Sequence, residues 1–326
     1  MAQVHRLSLL VLVVGTIVAS LLVGDGARVS LAVFGAQEET SATTSTAACF
    51  VDDPAAPTVT ASVIAKTTPY LGGAIREGGA YYVYANVSPG ALPVAAVTAD
   101  VRPLTSGEFL VPMTAGAYSV EGTSYGYRSG ALAAESPLAE GSTSYSVSAS
   151  DTASECRTVA STVAVDNTPP VGTDVQPTNG GGPPGRIQAG DSITYSFSEV
   201  IDPESVLAGW AGAPQNVVVQ VTNNGNNDLL TIWDTANATQ LALGSTDVGG
   251  NFVTTDVTLG ATGTPSTMVQ SGTTITVTFG TPTGTTQMVT QDATAIWTPS
   301  AAATDAAGNP GSTTSVTESG PADRNF

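Results

Sequence analysis

A chain of 326 residues, 41% of them apolar, holds material for about two ordinary domains with real cores, which excludes global disorder. Nine basic residues against 27 acidic ones leave a net charge of −18, which repels phosphate backbones and excludes nucleic acid as a partner. The polar surface is built mainly from Thr, Ser, Asn and Gly, and with 35 Gly and 20 Pro to supply turns the composition leans all-β.

The chain opens on "MAQVHRLSLLVLVVGTIVASLLVG", a short basic region (His5, Arg6) before an apolar run from Leu7 to Val23. This is the pattern of a signal-peptide core, and the run is also long enough to serve as an uncleaved anchor helix. Ser30-Leu31-Ala32 offers the small residues that cleavage after Ala32 requires, so residues 1–32 read as signal peptide or N-terminal anchor. Residues 33–54 are a Thr/Ser/Ala-rich leader. His5 is the sole histidine, so a chain that loses this segment has no imidazole for Ser-His-Asp or Cys-His catalysis, nor for most zinc chemistry. Cys49 and Cys156 are the two cysteines, and in an exported chain they are expected to form one disulfide. Its long loop makes that bond worth about 3–5 kcal/mol.

Strand-like runs then begin. "TVTASVIA" (Thr58 to Ala65) alternates with Val59, Ala61 and Val63 on one face, and "AYYVYANVS" (Ala80 to Ser88) sets Tyr81, Val83, Ala85 and Val87 against Tyr82, Tyr84 and Asn86. Further short strands are predicted over Val94 to Val101, Ala117 to Gly122, Ser144 to Asp151 and Thr158 to Asp166. Short strands at this regular spacing predict a Greek-key β-sandwich over 55–167. "TPPVGTDVQPTNGGGPPGR" (168–186) reads as a Pro/Gly linker. A second sandwich is predicted over 187–319, with strands at "SITYSFSEV", Asn216 to Thr222, Leu229 to Asp234, Asn251 to Gly260, Thr273 to Gly280 and "STTSVTES", followed by a tail, 320–326. A faint internal repeat relates "SASDTASECRTVASTVAVD" to "AATDAAGNPGSTTSVTE": each has a strand end, an Asp (Asp151 or Asp305), a tight turn and a closing Thr/Val strand.

Three of these stretches carry a resemblance. "VDNTPPVG" is similar to the junction between tandem bacterial Ig-like domains, and "ATDAAGNP" to the turn before their last strand. "ITYSFSEVIDPESV" resembles the F-S-E-P-hydrophobic-D-P motif of Ig-like modules in S-layer and other cell-surface proteins, with Val200 in place of the usual Pro. The first unit departs at its own turn, where Ala153-Ser154-Glu155-Cys156 replaces Ala-Gly-Asn. The signal region, with Ala-x-Phe ending at Phe34 before an acidic Thr/Ser-rich segment, resembles that of TasA-like bacterial matrix proteins, with Gly35-Ala36-Gln37-Glu38 where those soon carry an Asp. The resemblance implies two tandem Ig-like sandwiches displayed outside the cell, and modules of this kind act as spacers, adhesins or ligand binders.

Motifs with chemical meaning are few. "GTSYG" (Gly122 to Gly126) matches the G-x-S-x-G nucleophile elbow, yet its surroundings read as strand and loop and no downstream histidine exists. "NGGGPPG" precedes a strand, not the helix a phosphate loop requires. Glu199, Asp202, Asp305 and Asn309 are candidate calcium ligands at one pole of the second sandwich, although Asp and Asn also sit naturally in turns. Asp202 is also expected to cap a helical turn begun by Pro203 and Glu204. Tyr82 and Tyr84 are candidates for a sugar-stacking face, whereas Trp233 and Trp297 are expected in the core. No other cofactor is expected. The sequence is therefore read as a secreted or cell-surface, non-enzymatic structural or adhesion protein, with an extracellular carbohydrate-binding module as the alternative. Cell-surface proteins, matrix proteins or glycans are the expected partners, and membrane contact is expected only through an uncleaved N-terminal segment.

Overall fold

A computed structural model describes residues 55–67 and 70–326. The protein there is almost wholly β, arranged as two tandem sandwiches, each wound from one continuous ladder of strands. The expected signal or anchor segment and the leader, residues 1–54, lie outside the described residues.

The first sandwich contains β1 (Thr58–Lys66), β2 (Ala74–Ile75), β3 (Ala80–Ser88), β4 (Val94–Asp100), β5 (Val111–Val120), β6 (Thr123–Ser129), β7 (Leu132–Ala133), β8 (Gly141–Asp151) and β9 (Cys156–Val165). Their ladder order is β1-β3-β6-β5-β4-β8-β9-β2, with β7 added to β3. β5 carries the chain between layers: Val111 and Pro112 pair with β4, while Met113 to Ala115 and Tyr118 to Val120 pair with β6 on either side of a bulge. The alternation of β3 behaves as its pattern dictates, with Tyr81, Val83 and Ala85 in the core and Tyr84 in a small cluster on the other face. In β1 the expected common face of Val59, Ala61 and Val63 is broken. A bulge between Val59 and Ala61 slips the register, so Val59 and Ile64 enter the core while Val63 and Ala65 turn to the opposite face.

The second sandwich contains β10 (Gly172–Thr178), β11 (Ser192–Phe197), a single helical turn α1 (Pro203–Val206), β12 (Gln215–Thr222), β13 (Leu229–Trp233), β14 (Gln240–Asp247), β15 (Val257–Leu259), β16 (Ser266–Ser271), β17 (Thr274–Thr278), β18 (Ile296–Thr298) and β19 (Val316–Thr317). The ladder order is β10-β11-β17-β16-β12-β13-β14-β18-β19, with β15 added to β12. Ile193, Tyr195 and Phe197 of β11 all point inward, and Trp297 lies between the rings of Tyr195 and Phe197 at 4.9 and 5.0 Å.

The internal repeat is a matched pair of turns. The Asp151 N–H donates to Glu155 O and the Ser154 N–H to Asp151 O, while the Asp151 carboxylate accepts the N–H of Ala153 and Glu155. In the second sandwich the Asp305 N–H donates to Asn309 O and the Gly308 N–H to Asp305 O, and the Asp305 carboxylate accepts the N–H of Gly308 and Asn309. Both turns place their fourth residue at positive φ, Ser154 at 68° and Gly308 at 92°. A buried Asp at the head of each turn supplies the acceptor that the local N–H groups need.

Two expectations about boundaries are corrected. The expected linker 168–186 is folded: β10 occupies its middle, its Pro177 sits at a sheet edge, and the Asp191 carboxylate accepts the Gly180 N–H. The expected tail, 320–326, is part of the core. Phe326 is buried against Phe252 and Phe279, and Asn325 donates to Val248 O.

Candidate functional site

The chain's only lysine ends β1 of the first sandwich and is spent on the second. Lys66 Nζ donates to Thr304 Oγ1 at 3.0 Å and to Asp305 O at 2.8 Å, and lies 2.7 Å from Asp202 Oδ2 in an ion pair. The pair is charge against charge without an aligned hydrogen bond on Oδ2, and the Asp202 side chain has no solvent exposure. Asp202 is held from its own side as expected, capping α1 by accepting the Glu204 N–H at 3.1 Å with Pro203 in the first turn. Ser205 Oγ, one turn on, donates to Asp202 O and accepts the Thr304 N–H, tying α1 to the 304–310 turn.

Asn309 makes the second bridge. Its Nδ2 donates to Asp166 O, at the end of the first sandwich, and to Asp305 Oδ2, both at 2.8 Å. The segment between the sandwiches is fixed as well. Asn167 accepts the Glu77 N–H and donates to Leu138 O, and Thr168 donates to Glu140, so "DNT" is anchored to the first sandwich. Beyond it, Pro170 O accepts the Ser312 N–H and Val171 O accepts the Ser198 N–H, so "PPV" is anchored to the second. The resulting junction is hydrogen-bonded on both sides, which is how a loop without ladder partners satisfies its backbone.

The expected calcium set is only partly assembled. Asp305 and Glu199 do come together, joined by Asp166, with one carboxylate oxygen from each lying within 4.8 Å of the others. Asp202 is corrected out of the set, because its carboxylate faces Lys66. Asn309 turns its Nδ2, a donor, toward Asp305 and so is not placed as a ligand through that atom. Asp166 has no local signal in the sequence; it joins the group because Asn309, in the 304–310 turn, donates to its backbone carbonyl across the junction. Burial first, then the Asp305 and Asp166 carboxylates, pushes the Glu199 carboxyl up to about 7. Three carboxylates this close relieve their repulsion by keeping a proton on Glu199 or by sharing a divalent cation. Beside the cluster, a cleft of about 640 Å³ opens between the sandwiches, lined by Lys66, Arg76, Glu204, Ser205 and Thr304 among others.

The aromatic candidates lie on the outer face of the first sandwich. Tyr84 is buried, not displayed, and packs with Tyr82, Tyr118 and Tyr125. The Arg128 guanidinium stacks on Tyr82 and Tyr118 with centroid distances of 4.2 and 4.5 Å, covering the Tyr82 ring a sugar would need. The expected flat stacking face is therefore a small secondary core. Trp297 is buried as expected and donates to Leu243 O at 2.6 Å, whereas Trp233, expected inside, is only partly buried and donates to Thr231 Oγ1. Gly122 to Gly126 form the tip and start of the β5–β6 hairpin, without the strand-to-helix turn of a nucleophile elbow. Cys156 opens β9 and no described cysteine is free; its expected partner, Cys49, lies outside the described residues.

No family model matches the chain. No curated protein matches it either. Among solved structures it is similar to a chimeric titin Z1Z2 functionalized with a KLER exogenous peptide from decorin, at 14% identity, over 82% of this chain and 95% of that one, with a TM-score of 0.30. Among the described residues, no helix is long and apolar enough to cross a membrane.

Proposed function

We propose that this is an exported, non-enzymatic structural or adhesion protein of a bacterial cell surface or extracellular matrix, in which two Ig-like sandwiches act as one stiff unit. The observation that carries the reading is the Lys66 junction. The one lysine of the chain is buried as a strut between the sandwiches, where a ligand binder with a hinged cleft would keep such a group free. The anchored "DNTPPV" segment supports the same reading, since flexible linkers do not carry backbone bonds to both neighbours. Export rests on the apolar N-terminal run and on two cysteines suited to a Cys49–Cys156 disulfide. The partners would be other surface or matrix proteins. A glycan partner is the weaker reading, because Tyr84 is buried and Tyr82 is stacked on Arg128.

Calcium belongs to this reading as a junction ligand held by Asp166, Glu199 and Asp305, and melting with and without chelator tests it. An unchanged midpoint removes calcium and leaves the rest. The function itself is tested by fractionating the source cells and probing each fraction with an antibody. The protein is expected with the envelope, the matrix or the medium. Recovery with the cytoplasmic enzymes would overturn the proposal.

A further inference from the structure

Arg76 stands apart among the basic residues. Of those described, Lys66, Arg102 and Arg324 each pair with an Asp, Arg128 stacks on two tyrosines and Arg157 donates to Thr58, while Arg186 is exposed. Arg76 is part-buried in the wall of the cleft between the sandwiches, and its guanidinium has no hydrogen bond or ion pair among the described residues. In a chain with 27 acidic residues to nine basic ones, a part-buried guanidinium without a carboxylate is a group the fold leaves available. A Cβ placed on Gly308 would lie 3.4 Å from Lys66 Cδ and 3.9 Å from Arg76 Nε, so the two cationic side chains run together past that glycine. Asp202 neutralises Lys66, and nothing described does the same for Arg76.

The facing wall belongs to the second sandwich and carries the opposite charge. Glu204 lines it, and there too the carboxylate has no partner among the described residues; only the Glu204 N–H is engaged, by Asp202. We infer that the cleft binds a small zwitterion, an amino acid or short peptide, with its carboxylate on Arg76 and its ammonium on Glu204. One planar guanidinium offers two parallel N–H groups to the two oxygens of a carboxylate. A phosphate dianion would ask for more donors and would face Glu204, and Lys66 has none to lend, being engaged by Asp202, Thr304 and Asp305. The volume of about 640 Å³ is that of a small-ligand site, and Ala80, Ala208 and Ala302 line it with nothing larger than a methyl group. The Lys66 junction fixes both walls, so binding orders little that is not already ordered. This goes beyond the structural reading above and does not depend on where the protein resides.

NMR titration of the folded protein with dialanine and with trialanine tests this. At least one of the two is expected to bind with a Kd of about 1 mM or tighter, shifting signals of the cleft residues. Acetylating the peptide's amine, or amidating its carboxylate, is expected to weaken binding at least about tenfold. Arg76→Met and Glu204→Gln are each expected to do the same to the unblocked peptide, whereas Arg186→Met, at the exposed arginine elsewhere, leaves binding unchanged. Neither Arg76 nor Glu204 has a side-chain partner to lose, so both variants are expected to melt with the wild type; should one melt early, the blocked peptides on the wild type carry the same test. Absence of binding by both peptides up to about 10 mM overturns the inference. So do blocked peptides that bind as well as the free ones, or a folded R76M protein that binds like the wild type.

Discussion

Replacing Lys66 by Met removes the cation and keeps the apolar stem. Asp202 then sits fully buried, with only the Glu204 N–H on its carboxylate and no opposite charge, and Thr304 Oγ1 and Asp305 O each lose a donor. Breaking a buried ion pair by deleting one partner costs about 3–5 kcal/mol, most of it from the stranded charge and not from the lost attraction. For a folded unit of this size each kcal/mol moves the midpoint by about 2–4 °C, so K66M should melt on the order of 10 °C below the wild type. The loss should fall on the coupling between sandwiches, and the single transition should split into two. Circular dichroism melts and urea titrations read both effects. Adding Asp202→Leu removes the stranded charge and should recover much of the loss without restoring the ion pair. A K66M protein that melts within about 2 °C of the wild type as one transition would refute the reasoning, because Lys66 would then contribute as little as a surface pair.

Because the folded Glu199 carboxyl is held near 7 against an ordinary 4.5, the folded state binds more protons between these values. Its contribution is fully present below about pH 4.5 and is lost as pH rises through 7. Glu199 is part-exposed, so solvent screening reduces the effect to about 1 kcal/mol, a fall of a few degrees between pH 5 and pH 8 in chelator; Glu199→Gln should flatten that slope. Asp305→Ala strips the acceptor from the Gly308 and Asn309 N–H groups and should cost about 2–4 kcal/mol in denaturant titration. Asp151→Ala, at the equivalent turn away from the junction, should cost less. Gly244→Ala should destabilise by at least about 1–3 kcal/mol, because φ is 81° there and the new Cβ would lie 2.0 Å from Thr298 O in the β14–β18 pair.

How much was legible depends on the kind of signal. β3 and β11 were readable because strict alternation survives in them, so a period of two names the inward residues directly. β1 was located, but its faces were not, since the bulge after Val59 leaves no mark in a run of small and β-branched residues. β10 was hidden by the prolines and glycines around it. Pro177 is tolerated because β10 is a sheet edge, which only the topology reveals. β6, β14 and β16 leave no visible pattern in the sequence, because Ser, Thr and Gly dilute their apolar positions. At the site, the cap by Asp202 and the repeated Asp turns were local and therefore readable. The partner of Asp202 was not, because Lys66 lies more than a hundred residues away and a lone lysine carries no motif. Asp166 was missed for the same reason: its company of Glu199 and Asp305 is made by the packing of one sandwich on the other.

The claim at the centre of this account is that the two sandwiches form a single mechanical unit. Scanning calorimetry of the wild-type protein tests it most directly. One transition, with a calorimetric enthalpy equal to the van't Hoff enthalpy, is predicted. Two transitions, or a calorimetric enthalpy near twice the van't Hoff value, would mean that the sandwiches unfold independently and would contradict it.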